Sequence, residues 1–178
     1  MRKVAGVLFA AAMLLPIGLV ASPAGAAGGT SCSVPGGSIK VSPGLTTTLA
    51  KNTITFTLPF TKCSGGGVTS GTAVGVIPPG KPGNCQSLAT AGPMTINTTI
   101  KWNNKTTSTF SGKSNTSTAG KPAGYVATSS VTGKVTKGAF LGKNVSVKVA
   151  VKLGAGKCTK ASPIKTLTVK GITPFVIK

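Results

Sequence analysis

From Asn144 to Leu153 the chain alternates strictly. Val145, Val147, Val149, Val151 and Leu153 stand between Asn144, Ser146, Lys148, Ala150 and Lys152. A period of two marks a strand with one dry face and one wet face, where a helix would repeat every 3.6 residues. The same scheme recurs from Thr53 to Leu58, with Ile54, Phe56 and Leu58 inward and threonines outward, and from Met94 to Trp102, with Met94, Ile96, Ile100 and Trp102 inward. Threonine suits the wet face because its branched Cβ favours the pleated backbone.

Shorter runs extend the list of strand candidates: Ser38–Val41, Val68–Ile77, Thr106–Ser111, Tyr125–Val135, Ala139–Leu141, Ile164–Lys170 and Phe175–Ile177. Between them stand residues with turn chemistry: Ser42-Pro43-Gly44, the Pro78–Asn84 stretch, Asn103-Asn104, Ser111-Gly112, Gly120-Lys121-Pro122 and Gly154-Ala155-Gly156. No helical periodicity follows the first residues. About eight to ten short antiparallel strands between Gly/Pro turns predict an all-β domain, a β-sandwich first and a closed barrel second.

The N-terminus has a different character. Met1-Arg2-Lys3 precedes an apolar run from Val4 to Val20, and Ala24 and Ala26 fill the small-residue positions of an A-x-A site. That order is a secretory signal peptide, residues 1–26, cleaved after Ala26. Pro16 and Gly18 interrupt the run, whereas a membrane span wants about 20 unbroken apolar residues. No later apolar run suggests a transmembrane segment. The expected localisation is secreted, extracellular or in the cell envelope.

Residues 27–178 then form one domain, and its 152 residues suffice for a single core. All four cysteines fall within it, at Cys32, Cys63, Cys85 and Cys158. An even number in an exported chain predicts two disulfides. The gaps of 31, 22 and 73 residues contain no close ligand pair for zinc. Of three possible pairings, Cys32 with Cys63 is preferred: if Ile39–Val41 pairs antiparallel with Thr53–Leu58, these two cysteines fall opposite each other. Cys85 is then left with Cys158.

Charge narrows the chemistry. The sequence holds no Asp, Glu or His, and of its 20 cationic residues Arg2 and Lys3 belong to the leader, leaving 18 lysines. General acid–base catalysis near neutral pH normally uses one of the three missing residues. Their absence removes the Ser-His-Asp triad, carboxylate-pair glycosidases and carboxylate calcium sites. No catalytic residue, metal or cofactor is expected, and the chain is read as a non-enzyme.

Two catalytic-looking motifs fail on context. Ser162-Pro163-Ile164-Lys165 matches S-x-x-K, but Pro163 and the strand-like residues after it oppose the helix that this motif requires. Gly65-Gly66-Gly67 lacks the G-K-[ST] and the helix of a phosphate loop. Sequons begin at Asn97, Asn104, Asn115 and Asn144; with so much Ser and Thr about two would arise by chance, so they carry little weight.

Unbalanced positive charge attracts polyanions. Lys134, Lys137, Lys143, Lys148 and Lys152 are the candidate anion-binding residues, and anionic cell-wall or surface polymers are the expected partners. Nucleic acid is disfavoured because arginine, which makes its bidentate contacts, is absent from the mature chain. The alternatives are a structural matrix protein without a specific ligand and a cationic growth-inhibiting protein. A surface on the order of 7,000 Å² for such a domain spaces the lysines roughly 20 Å apart, beyond the Debye length of about 8 Å at physiological salt.

The segments Ser42-Pro43-Gly44-Leu45, Thr61–Gly65, Ile100–Asn103 and Gly133–Gly142 together resemble a group of small secreted actinobacterial proteins of uncharacterised function. The resemblance spans most of the mature chain and implies an exported product with no known activity. Separately, Cys85, Trp102 and Cys158 are loosely similar to the immunoglobulin pattern of a cysteine pair flanking a core tryptophan, although Gly156 stands where the tyrosine corner would sit. That similarity implies architecture alone.

Overall fold

The computed structural model describes residues 28–79, 82–90 and 92–178. The leader and its cleavage after Ala26 lie outside the described residues, as do residues 80 and 81 of the Pro78–Asn84 turn. Ten strands follow in chain order: β1 Thr30–Ser33, β2 Gly37–Leu45, β3 Thr53–Ser64, β4 Gly71–Ile77, β5 Met94–Trp102, β6 Thr107–Ser117, β7 Ala127–Gly138, β8 Asn144–Leu153, β9 Ile164–Gly171 and β10 Phe175–Ile177. A single 3-10 turn, Ser87–Thr90, is the only helical element among the described residues.

Each strand from β2 to β9 pairs antiparallel with the next, and β9 returns to β2, so eight strands close into a barrel. The sandwich expectation is corrected here. A period-two pattern says that a strand hides one face, which holds in either architecture; closure depends on whether the two ends of the sheet meet.

Glycine lets two of these strands approach closely. Gly112 of β6 faces Gly133 of β7, and a Cβ on Gly112 would stand 2.9 Å from the Gly133 Cα, while one on Gly133 would stand 2.7 Å from the Gly112 Cα. Side chains there would force the strands apart, so the bare pair permits their close approach. Ser111-Gly112 therefore lies within β6, where the sequence suggested a turn.

The barrel is sealed twice. Towards one end β2 and β9 join β3 to β8, through pairs such as Ile39 with Phe56, Ile39 with Leu167 and Leu153 with Leu167. Towards the other end β1 and β10 take their place, with Ser31 opposite Ser64, Cys32 opposite Phe175 and Val176 opposite Ser146. Where the two seams meet, the Gly171 N–H donates to the Val34 carbonyl at 3.1 Å. The long strands β3 and β8 thus each serve two partners along the seam, besides β4 and β7 on their other edges.

Three other expectations change. Ser42-Pro43-Gly44 lies inside β2, at an irregularity of the β2–β9 register between Lys40 and Leu45. Ala139–Leu141 is a turn rather than a strand: Gly138 and Gly142 adopt φ of 80° and 81°, and Phe140 between them adopts 63°. This turn buries Phe140 and leaves Leu141 exposed. The four-residue β1, Thr-Ser-Cys-Ser, shows no apolar alternation to betray it.

Disulfides join Cys32 to Cys63, across β1 and β3, and Cys85 to Cys158, with Cα separations of 4.0 and 6.3 Å. The second bond ties the segment before the 3-10 turn to the β8–β9 loop. Trp102 sits at the far end of β5 from it, so the immunoglobulin arrangement of a tryptophan against its disulfide does not occur.

Trp102 instead belongs to an aromatic plug. Phe60 stacks on Phe175 at 4.2 Å between ring centroids, and Phe140 meets Trp102 edge-on at 5.5 Å. The indole Nε1 donates to Ser108 Oγ at 2.8 Å, and that hydroxyl donates to the Ala139 carbonyl at 2.6 Å. The plug fills one end of the barrel, while the 3-10 turn packs on β6 and β7 at the other.

Candidate functional site

The wall of the barrel carries the charge. No described lysine is buried; Lys143 and Lys148 are half-buried and the remainder are exposed. Lys134 and Lys137 lie on β7, Lys143 in the β7–β8 turn, and Lys148 and Lys152 on the outer face of β8. The turn brings Lys134 and Lys143 to the same end, since Lys134 faces Asn144 and the Val135 N–H donates to the Lys143 carbonyl at 2.8 Å. Lys152 is at the opposite end, roughly 30 Å from Lys143 at about 3.3 Å per strand residue. These five side chains form an extended band and no pocket.

Cross-strand register keeps the ammonium groups apart. Lys134 faces Ser111 and Asn144, Lys137 faces Thr109, Lys113 faces Thr95 and Thr132, and Lys148 faces Ser130. Lys152 faces Thr168, Lys170 faces Ala150, Lys101 faces Thr72 and Thr107, and Lys40 faces Thr55 and Thr166. In none of these pairs does one lysine oppose another. Like charges directly across a ladder are destabilising, so the threonines that favour the strand also separate the charges.

The interior is the inverse of this surface. It encloses a cavity of about 120 Å³, bounded by apolar side chains that include Phe56, Ile96, Phe110, Val131, Val149 and Leu167. Four hydroxyl-bearing residues, Thr98, Ser114, Thr116 and Ser129, interrupt that lining. Ser114 Oγ and Ser129 Oγ share a hydrogen bond of 2.6 Å. Thr98, only 1% exposed, has no hydrogen-bond partner for its Oγ1. The alternation of β5 contained the signal for Thr98, which falls in phase with Ile96 and Ile100; its residue type suggested the wet face.

The two motifs fall on loop and strand backbone. Ser162 is half-buried in the β8–β9 loop and Lys165 is exposed on β9, so the S-x-x-K spacing spans loop and strand. Gly65, Gly66 and Gly67 adopt φ of 88°, 64° and 69° in the β3–β4 connection, a left-handed backbone that favours glycine. Among the described residues no helix is long and apolar enough to cross a membrane.

Fold and surface together define a disulfide-stapled, eight-stranded barrel with an apolar interior and a lysine-bearing wall. No protein-family model matches the chain, and neither does any curated protein or solved structure.

Proposed function

We propose that the chain is an exported, soluble, non-catalytic protein that binds anionic cell-envelope polymers through the lysines spread over its barrel wall. The observation that carries this reading is the register of those lysines. Every lysine paired across the ladder faces a hydroxyl, amide or methyl group, no acidic side chain exists to neutralise any of them, and the charge is therefore fully available to a polyanion. A band about 30 Å long suits a polymer with repeating negative charge better than a compact anion, which would need several donors converging on one point.

Nucleic acid fits less well. The mature chain offers no arginine fork, and Phe60, Trp102, Phe140 and Phe175, which could have stacked on bases, are buried in the plug. The polar outer wall also opposes a lipid-facing barrel, whose outer band is apolar. Resemblance to small secreted actinobacterial proteins agrees with an envelope setting.

Cosedimentation with purified cell walls tests the reading. Binding should fall steeply as sodium chloride rises from a few millimolar to about 0.5 M, because screening shortens the Debye length to a few ångströms. Neutralising Lys134, Lys137 and Lys143 to Gln, or Lys148 and Lys152 to Gln, should weaken binding roughly in proportion to the charges removed. Retention indifferent to salt would indicate a structural role, and leakage from anionic vesicles a growth inhibitor; either would replace the proposal.

A further inference from the structure

Buried hydroxyls in this barrel are almost all engaged. Ser108 bridges Trp102 and Ala139, Ser114 and Ser129 bond each other, Thr30 donates to the Ser64 carbonyl and Thr128 to the Ser117 carbonyl. Thr98 is the exception among the described residues. An unpaired hydroxyl in an apolar interior opposes folding, and valine would fill the same space between Ile96 and Ile100 without that cost. The hydroxyl therefore asks for a partner that the protein does not supply, and Thr98 lines the cavity where one would sit.

The lining specifies the partner. A volume of about 120 Å³ is near the roughly 150 Å³ that accommodates benzene in an engineered protein cavity, which sets a body of about six carbons. No charged side chain lines the space, so an acid or amine would be buried without a counter-ion. The Thr98 hydroxyl both donates and accepts, hence it can serve either a hydroxyl or a carbonyl. Phe60 and Phe175 close one end, and at the other Ile54, Ile77, Leu88 and Met94 are half-buried, which places the entrance there.

We infer that the barrel interior binds a small neutral molecule, a hydrocarbon body bearing one hydroxyl or carbonyl group, held in orientation by a hydrogen bond to Thr98. This site is independent of the lysine wall, and each can fail without the other. Eight-stranded barrels have room for one small ligand in this way.

Cyclohexanol and cyclohexane are the probes, titrated into the purified protein and followed through the methyl resonances of Ile96, Val131, Val149 and Leu167. Both should give saturable shifts at these methyls. In Thr98→Val cyclohexanol should bind about tenfold more weakly while cyclohexane affinity is unchanged, and Thr98→Ser should recover most of the loss. Without ligand, Thr98→Val should melt higher than the native protein, the opposite sign to its effect on binding. Absence of saturable shifts, or a cyclohexanol affinity indifferent to Thr98→Val, would overturn the inference.

Discussion

The indole of Trp102 covers Gly71, its partner across β5 and β4, so closely that a Cβ on Gly71 would stand 2.6 Å from the ring carbon Cε3. Phe56 covers Gly75 of the same strand in the same way. An aromatic ring laid over a cross-strand glycine shields bare backbone and pins register. Gly71→Ala should therefore destabilise the fold by about 1–3 kcal/mol through overpacking. Thermal melting would register this as a loss of several degrees. Because Trp102 is the only tryptophan, its emission should shift as the ring is displaced; an unchanged melt and spectrum would contradict the contact.

Ser108 holds the same ring from its other side. Ser108→Ala removes the acceptor 2.8 Å from the indole Nε1 and leaves a buried N–H unpaired. The expected loss is about 1–3 kcal/mol. Urea denaturation should show a lower midpoint at unchanged slope, since the exposed surface is the same. A loss well under about 0.5 kcal/mol would mean that water reaches the indole.

Stability should be flat with pH between about 4.5 and 7. Its slope is set by the difference in protons bound by unfolded and folded states, and with no Asp, Glu or His in the chain no side chain titrates in that window. Neither a raised nor a depressed carboxylate or imidazole pKa can act. Denaturation midpoints measured across the window should coincide, and a steady decline on acidification would refute this.

Salt should raise stability, in contrast. With lysines roughly 20 Å apart, the Debye length exceeds their spacing at about 0.01 M salt, near 30 Å, and falls below it at 0.15 M, near 8 Å. The melting temperature should climb by several degrees across that range. Lys134→Gln should raise it at low salt and do little at physiological salt, while weakening the proposed polymer binding in both. An equal melting temperature at both ionic strengths would show that the register pairing already removes the repulsion.

Much of the fold was legible residue by residue. The alternation at Asn144–Leu153 and Met94–Trp102 gives the bounds of β8 and β5 as the structure has them, because one buried face imprints a period of two on any strand. Ser42-Pro43-Gly44 and Ser111-Gly112 misled because register irregularities and close strand approaches use glycine and proline as turns do. The lysine wall was legible as charge; the inward phase of Thr98 was legible between Ile96 and Ile100, but its lack of a hydrogen-bond partner was not, since that depends on which distant side chains surround it.

Amino-acid order alone settled the strand-rich character, the dry faces of the best strands and the absence of any acidic or imidazole group, for these depend on local pattern and composition. Tertiary structure decided that β9 meets both β8 and β2, that β1 and β10 seal the second end, and that an unpaired hydroxyl faces a cavity. Those features join residues far apart in the chain, where pairing is selected by the shape that buries every dry face at once.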